Sequence, residues 1–271
     1  MRELITRTIS GAVVVALIVG SILLSPITYA TLMLLVVSVG TFELCRMRNA
    51  MSAAAWLVSE LIVVSSYLIG ATFALGLASA YILWCLIPIF MLPFLVALFS
   101  KGISFTDIAS SIYGALFYLA LPSVLMLMMY RSEIVGEFCA APLLLVLYIM
   151  LWTNDTFAYL TGSLIGRHKL FPRISPGKTI EGCIGGLVFT IIAICIYSYY
   201  TPSLPMTKAV VLALIAVVTG TFGDLCESML KRQAGVKDSG RLIPGHGGIL
   251  DRFDSVMFAT TFLFTYLVLS K

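Results

Sequence analysis

Long uncharged stretches of apolar residues alternate with short polar ones along the whole 271-residue chain. Each apolar stretch has roughly 17–25 residues, enough for a helix to cross a hydrocarbon layer of about 30 Å. Polar residues do not recur at every second position, as they would in the strands of a membrane β-barrel. A helix satisfies its backbone hydrogen bonds within one segment, as lipid requires. The pattern therefore predicts an all-α membrane protein.

We predict a polytopic membrane helical bundle of about nine transmembrane helices. Their approximate bounds are residues 9–24, 27–45, 53–72, 80–99, 111–130, 141–162, 180–200, 207–228 and 253–270. The third and fourth helices are the least securely separated, because residues 70–79 form an apolar linker without charge. Arg2 and Arg7 precede the first apolar stretch, as in a signal peptide. No clear small-residue cleavage site follows, so we interpret this stretch as a retained helix.

Composition supports this prediction and excludes an ordinary soluble domain. Charged residues make up 11% of the chain and the mean hydropathy is +1.05, whereas a soluble domain carries about 25% charged residues. The net charge of +4 is no nucleic-acid signal, since its distribution among loops matters more than its total. The six cysteines are scattered without a Cys-x-x-Cys pair, which indicates neither a zinc site nor a disulfide framework.

The positions of the basic residues predict an orientation. With the N-terminus in the cytoplasm, the cytoplasmic loops hold all of the 17 Lys and Arg residues except Arg131, Lys208 and Lys271. By the positive-inside rule, the N-terminus is cytoplasmic and the C-terminus is outside. Loops 163–179 and 231–252 then face the cytoplasm.

The ionisable residues predict an N-terminal transmembrane region, residues 1–105, and a catalytic transmembrane region, residues 106–271, which carries both loops. Glu43 and Glu60, in the first region, pair across helices or lie at interfaces in this interpretation and receive no site role. Ionisable residues at a membrane indicate a functional site by default, and most of them belong to the second region.

The most polar stretch, residues 228–254, joins the last two predicted helices. Asp224, Ser228 and Lys231 share one helix face, because they stand at positions i, i+4 and i+7. Asp251 begins the last helix, so it can approach Asp224 if the two helices are neighbours. Carboxylate oxygens suit Mg²⁺, which binds through one or two carboxylates and substrate phosphates.

Cations and glycines fill the loop between these acids. The cations are Lys231, Arg232, Lys237, Arg241 and Arg252. Gly245, Gly247 and Gly248 permit close backbone approach, so that N–H groups can point at an anion. The combination favours phosphoryl or nucleotidyl transfer. The alternatives stay open that the cations only set orientation or bind lipid headgroups, and that the acids only cap a helix.

The earlier loop offers a second phosphate contact. Lys178 lies in Gly177-Lys178-Thr179, but this is not a phosphate-binding P-loop, because Pro172 stands where that pattern needs glycine. Ser175-Pro176-Gly177 is typical of a turn before a helix. Asn154 and Asp155 lie about two turns inside the sixth predicted helix, where we expect them to line a cavity. An interhelical hydrogen bond is the alternative for Asn154.

These residues resemble the signature of the phosphatidate cytidylyltransferase (CDP-diacylglycerol synthase) family. The matching positions are Ser228, Lys231, Arg232, Lys237, Asp238, Gly240, Pro244, His246, Gly247, Gly248, Asp251, Arg252 and Asp254. Residues 175–182 and 223–227 also look like that family. The resemblance is strong over residues 150–260 and amounts to hydropathy in the first half.

The resemblance implies a multi-pass enzyme of the bacterial inner (plasma) membrane that joins CTP and phosphatidic acid into CDP-diacylglycerol and pyrophosphate. It also implies Mg²⁺ at Asp224 and Asp251, with a second cation such as K⁺, and a homodimer in the lipid bilayer. The predicted catalytic residues are Asp224, Asp251, Lys231, Lys237 and Arg252. The predicted substrate-binding residues are Lys178, Ser175, Ser228, Arg232, His246, Gly247, Gly248, Asp155 and Asn154.

Three other classes compete with this interpretation. A CDP-alcohol phosphotransferase would carry an Asp-Gly motif followed by Ala-Arg and spaced Asp residues, and no such run is present. A transporter would place its ions near the bilayer midplane, whereas these acids cluster at helix ends. A structural protein that binds anionic lipid would not need carboxylates beside a glycine turn.

Overall fold

The computed structural model describes residues 2–47, 53–99, 104–131 and 140–270. Within these ranges, nine helical segments are long and apolar enough to cross a membrane, which confirms the predicted all-α polytopic fold. The α-helices are α1 (Arg2–Leu24), α2 (Pro26–Met47), α3 (Ala53–Ala74), α4 (Leu86–Phe99), α5 (Phe105–Ala115), α6 (Leu121–Met128), α7 (Ala140–Ile165), α8 (Ile180–Tyr200), α9 (Met206–Gln233) and α10 (Leu250–Leu269).

Two of the nine spans are composite. A 3₁₀ segment, Ala80–Cys85, leads into α4, and a π-helical turn, Leu116–Ala120, joins α5 to α6. The linker that made the third and fourth helices hard to separate contains Gly76, whose φ of +73° ends α3. The amides of Leu77 and Ala78 both donate to Thr72 O there, as a helix C-terminus requires.

The chain forms two compact units. Unit 1 comprises Met1–Arg131 and Ala234–Phe253, and unit 2 comprises Ser132–Gln233 and Asp254–Lys271. The functional division at residues 105 and 106 stays a prediction. So does the orientation of the termini, and Lys271, which the charge bias assigns to the outside, is not among the described residues.

In unit 1, buried aromatic side chains join α2 to its neighbours. Tyr67 on α3 donates a hydrogen bond to Ala30 O over 2.7 Å, and Tyr29 lies 2.9 Å from Met126 Sδ. Both tyrosines are fully buried. In contrast, Trp84 in the 3₁₀ segment is 67% exposed, as expected of a side chain that faces lipid.

In unit 2, glycines allow α7 and α8 to pack at short range. A Cβ on Gly182 would lie 2.7 Å from Ala158 O, and one on Gly186 would lie 2.8 Å from Asn154 O. Small residues of this kind let membrane helices approach backbone to backbone. The close packing of α7 on α8 fixes the position of the polar residues on α7.

A two-stranded antiparallel sheet connects α7 to α8. Its strands are β1 (Lys169–Phe171) and β2 (Ser175–Thr179), with Phe171 opposite Ser175. The turn that we predicted at Ser175-Pro176-Gly177 is therefore wrong, because these residues belong to β2. A proline fits an edge strand, and it restricts the preceding residue to extended backbone. Thr179 then caps α8, since its Oγ1 accepts the Gly182 N–H over 3.1 Å.

Candidate functional site

Lys178 and Asp224 meet in unit 2 as an ion pair. Lys178 comes from β2, one residue before the cap of α8, and Asp224 comes from the last part of α9. Asp224 Oδ1 also accepts a hydrogen bond from Ser228 Oγ over 3.2 Å. Asp224 and Ser228 therefore lie on one helix face, as predicted. Lys178, from the loop before α8, pairs with Asp224 on that face.

Three carboxylates, among them that of Asp224, lie close together. One oxygen each of Asp224, Glu227 and Asp254 lies within 4.8 Å of the other two. Glu227 is fully buried and forms an ion pair with Lys231, one turn further along α9. The charge of Asp155 also acts on Asp254. Oxygen donors at this spacing have the chemistry that Mg²⁺ prefers.

A pocket of about 420 Å³ opens beside this cluster. Its lining includes five residues that the sequence predicted for the site: Asn154, Asp155, Ser175, Lys178 and Asp224. Helices α7, α8 and α9 and strand β2 all contribute to it. Asn154 is 5% exposed, and its Nδ2 lies 3.4 Å from Asp155 Oδ1.

The hairpin that carries Lys178 is held at both ends. Glu181 accepts hydrogen bonds from the amides of Arg167 and His168, over 3.1 and 3.2 Å, and lies 2.5 Å from His168 Nδ1. On α9, Arg232 Nε donates to Ile174 O over 3.4 Å. Arg232 thus contacts the turn of the hairpin and supports β2. Its role in substrate binding stays a prediction.

The other predicted site residues belong to the loop of unit 1, residues 234–249, and the first turn of α10. Asp251 Oδ2 accepts hydrogen bonds from Gly248 N over 2.8 Å and from Ser239 N over 2.9 Å. Gly247 has a φ of +86°, which favours glycine, and Arg252 Nε donates to His246 O over 3.2 Å. These contacts fold the loop back onto the helix that follows it.

His246 lies beside α1. Its Nδ1 lies 2.8 Å from Ser10 Oγ. Burial lowers the pKa of His246 below its ordinary value of 6.5, and the positive charges of Arg252 and Arg7 lower that pKa further. The imidazole is therefore a neutral hydrogen-bonding group at neutral pH. Its predicted role in substrate binding stays a prediction.

A second pocket, of about 480 Å³, lies within unit 1. Arg46, Lys237 and Arg241 supply positive charge to its lining, which also includes Asp238 and Ser239. Lys237 was predicted as a catalytic residue, and two further cations, Arg46 and Arg241, line the same pocket. Grouped arginines and lysines of this kind suit phosphate oxygens.

The predicted metal ligands, Asp224 and Asp251, fall in different units, and each has its own partners. The sequence did not assign metal ligation to Glu227 or Asp254. A signal for both was present, since Glu227 follows Asp224 by three residues and Asp254 ends the signature. Glu43 was given no site role, yet both its oxygens contact the loop of unit 1.

The fold and these residues define a multi-pass membrane protein whose charged side chains form compact clusters at helix ends. The family model described as the cytidylyltransferase family matches residues 5–270. The chain therefore belongs to the cytidylyltransferase family.

Several bacterial proteins named phosphatidate cytidylyltransferase are similar to part of the chain. The protein of Staphylococcus haemolyticus is 48% identical over 121 residues, which cover 44% of this chain and 46% of that protein. The protein of Staphylococcus aureus (strain COL) is 48% identical over 128 residues, 47% of this chain and 49% of that protein. The protein of Bacillus subtilis is 44% identical over 122 residues, 45% of each.

The matched segment thus spans less than half of each of these relatives. Their names describe the whole proteins. Together with the nine apolar spans among the described residues, the relatives support a multi-pass bacterial membrane protein.

Proposed function

We propose that this chain is a phosphatidate cytidylyltransferase, which transfers CMP from CTP to phosphatidic acid and gives CDP-diacylglycerol and pyrophosphate. The observation that carries the proposal is the ion pair of Lys178 with Asp224 in a pocket beside two further carboxylates. A cation and a group of acids at one pocket suit a nucleoside triphosphate with its metal ion. The substrates in this proposal follow from the name phosphatidate cytidylyltransferase, which the similar bacterial proteins carry.

The chemistry requires one bond to form and one to break. A phosphate oxygen of phosphatidic acid attacks the α-phosphorus of CTP, and the bond from that phosphorus to the bridging oxygen of pyrophosphate breaks. The attacking oxygen is already anionic, so the step needs no strong general base. The protein therefore contributes chiefly by positioning and by balancing negative charge.

The acidic cluster fits a divalent cation. Asp224, Glu227 and Asp254 offer only oxygen atoms, the kind of ligand that Mg²⁺ prefers. When bound, Mg²⁺ would neutralise phosphate charge. We retain Asp251 as a further predicted ligand, and K⁺ as a second cation, within the same proposal.

Lysines and arginines bind and orient the phosphates in this proposal. Lys178 and Lys231 lie at the acidic cluster, where they pair with Asp224 and Glu227, and their ammonium groups suit phosphate oxygens. Lys231, Arg232 and Lys237 balance the charge of pyrophosphate, while Lys178 and Arg252 orient phosphates. Asn154 and Asp155 lie on the pocket wall and hold polar groups of the nucleotide.

We place the reaction at the cytoplasmic side of the membrane and propose that the protein acts as a homodimer. The positive-inside bias supports the first statement. CTP would then enter from the cytoplasm, while phosphatidic acid would arrive from the inner leaflet.

The experiment that tests this proposal measures pyrophosphate release. The purified full chain is incubated in mixed micelles with phosphatidic acid, CTP and Mg²⁺. We expect release that requires both substrates and stops when EDTA removes the metal. A folded protein that releases no pyrophosphate under these conditions would overturn the proposal.

A further inference from the structure

Glu43 on α2 binds the loop of unit 1 through both carboxylate oxygens. Oε1 accepts the Ile249 N–H over 3.0 Å, and Oε2 accepts the Leu250 N–H over 3.0 Å. Ser239 Oγ lies 2.9 Å from Glu43 Oε2 and 2.9 Å from Asp251 Oδ2, so its single proton serves one carboxylate at a time. Glu43 is 3% exposed. A buried acid from a distant helix thus holds the residues that lead into α10.

The local sequence explains why α10 needs an acceptor from outside. The first amides of a helix have no partner within it, and the residue before the helix commonly supplies a side-chain oxygen. That position is Ile249 here, because α10 begins at Leu250, and an isoleucine side chain has no acceptor. Glu43 instead accepts the N–H groups of Ile249 and Leu250, just before and at the first residue of the helix, and adds negative charge where the helix dipole favours it.

Two glycines of the signature make room for this carboxylate. A Cβ on Gly240 or Gly248 would come closer than 3.0 Å to the Glu43 side chain. On Gly248, the added atom would also collide with Ser239 Oγ. Gly240 and Gly248 therefore leave the space that the Glu43 side chain occupies, although Glu43 lies outside the signature.

We propose that Glu43 is a positioning residue: it holds the loop and thereby fixes Asp251 and Arg252 on the first turn of α10. Asp251 takes its hydrogen bonds from Ser239 and Gly248, the same segment that Glu43 holds. The consequence for catalysis rests on the proposed function. The consequence for the loop does not, because the hydrogen bonds are independent of any substrate.

Two substitutions separate the acceptor role from simple packing. Glu43→Gln keeps the size of the side chain, but either orientation of its amide turns an NH₂ group toward the N–H of Ile249 or Leu250. Glu43→Asp is shorter but keeps both acceptor oxygens. A packing role predicts that Gln is the better replacement, whereas an acceptor role predicts that Asp is.

Glu60→Gln serves as the matched control. Glu60 is also an acid in a membrane helix of unit 1, and its Oε1 accepts a hydrogen bond from Ser38 over 2.5 Å. Ser38 lies on α2, not in the loop. The same chemical change is therefore made in the same unit without altering the loop contacts that Glu43 makes.

The test applies hydrogen–deuterium exchange and steady-state kinetics to the full chain in detergent micelles. We expect amides 248–250 to exchange about tenfold faster or more in Glu43→Gln, with kcat/KM lowered by a similar factor. Glu43→Asp should lie closer to wild type in both measurements, and Glu60→Gln should match wild type in loop exchange.

Unchanged loop exchange in Glu43→Gln, or better retention by Gln than by Asp, would overturn the proposal. If the wild-type protein turned over no substrate, the proposed function would fail, while the exchange data would still decide the role of Glu43. The two failures are thus distinguishable.

Discussion

Lys178 and Asp224 form an ion pair, although one comes from a short hairpin and the other from a membrane helix. Their side chains are 26% and 30% exposed, so the pair is reachable from the pocket that both residues line. The hairpin thus places the Lys178 ammonium group beside Asp224, which our proposal assigns as a metal ligand. A surface pair of this kind adds little to stability, roughly 0–1 kcal/mol.

Removal of the Lys178 charge should therefore reduce activity more than stability. We expect Lys178→Met to lower kcat/KM for CTP on the order of 10- to 100-fold, because a charge-assisted contact to phosphate is lost. The thermal midpoint should change little. Lys169→Met, at an exposed lysine on β1 of the same hairpin, is the control and should behave as wild type. Equal kinetics for both variants would contradict the role of Lys178.

The acidic cluster should control the metal requirement. We expect Asp224→Asn and Asp254→Asn each to raise the Mg²⁺ concentration for half-maximal activity about tenfold or more, since loss of even an outer-shell partner has an effect of 10- to 100-fold. A titration of pyrophosphate release against Mg²⁺ measures this shift. Asp107→Asn changes an acid on α5 of unit 1 and should leave the titration unchanged. An unshifted titration for Asp254→Asn would remove that residue from the metal site.

Hydropathy predicted the nine spans well, because each depends on about 20 neighbouring residues and on little else. The predicted span 180–200 coincides with α8, and 80–99 covers the 3₁₀ segment with α4. Loops were harder, since Ser175-Pro176-Gly177 suits both a turn and an edge strand. These residues form a strand because they pair with β1, and no local sequence pattern predicts that pairing.

The site was predictable where its residues belong to a dense motif. Asp224 and Lys178 stood out because ionisable residues are rare in this chain, and the structure places them together. Glu43 could be noticed for the same reason, but its role could not be inferred. Its partner Ile249 lies 206 residues away, and only the packing of α2 reveals that contact.

His246 should make stability depend on pH. Its pKa lies below the ordinary value of 6.5, so the unfolded chain binds this proton more readily than the folded one. This contribution to stability is present above that value and is lost as the pH falls through the folded pKa. We expect the thermal midpoint of the wild type to fall more between about pH 7.5 and 5.5 than that of His246→Gln. The same fall in both proteins would contradict this role.

Close packing of α7 on α8 should be sensitive to a single methyl group. In Gly182→Ala, the added Cβ would lie 2.7 Å from Ala158 O and 2.9 Å from Thr179 Oγ1. We expect a loss of about 1–3 kcal/mol in stability, as in other overpacked sites. Gly177→Ala is the control, because no atom lies within 4 Å of its added Cβ. Thermal unfolding in detergent compares the two variants. Equal thermal midpoints would show that α7 and α8 can move apart without a loss of stability.

The most direct test of the central claim follows the phosphorus atoms of CTP. CTP labelled at either the α- or the γ-phosphate is incubated with phosphatidic acid, Mg²⁺ and the full chain, and the lipids are then extracted. Cytidylyl transfer predicts that the α-label enters the lipid fraction while the γ-label stays in water as pyrophosphate. Entry of the γ-label into lipid would instead indicate phosphoryl transfer. If neither label reached the lipid with a folded protein, the account of this chain as a cytidylyltransferase acting on phosphatidic acid would be contradicted.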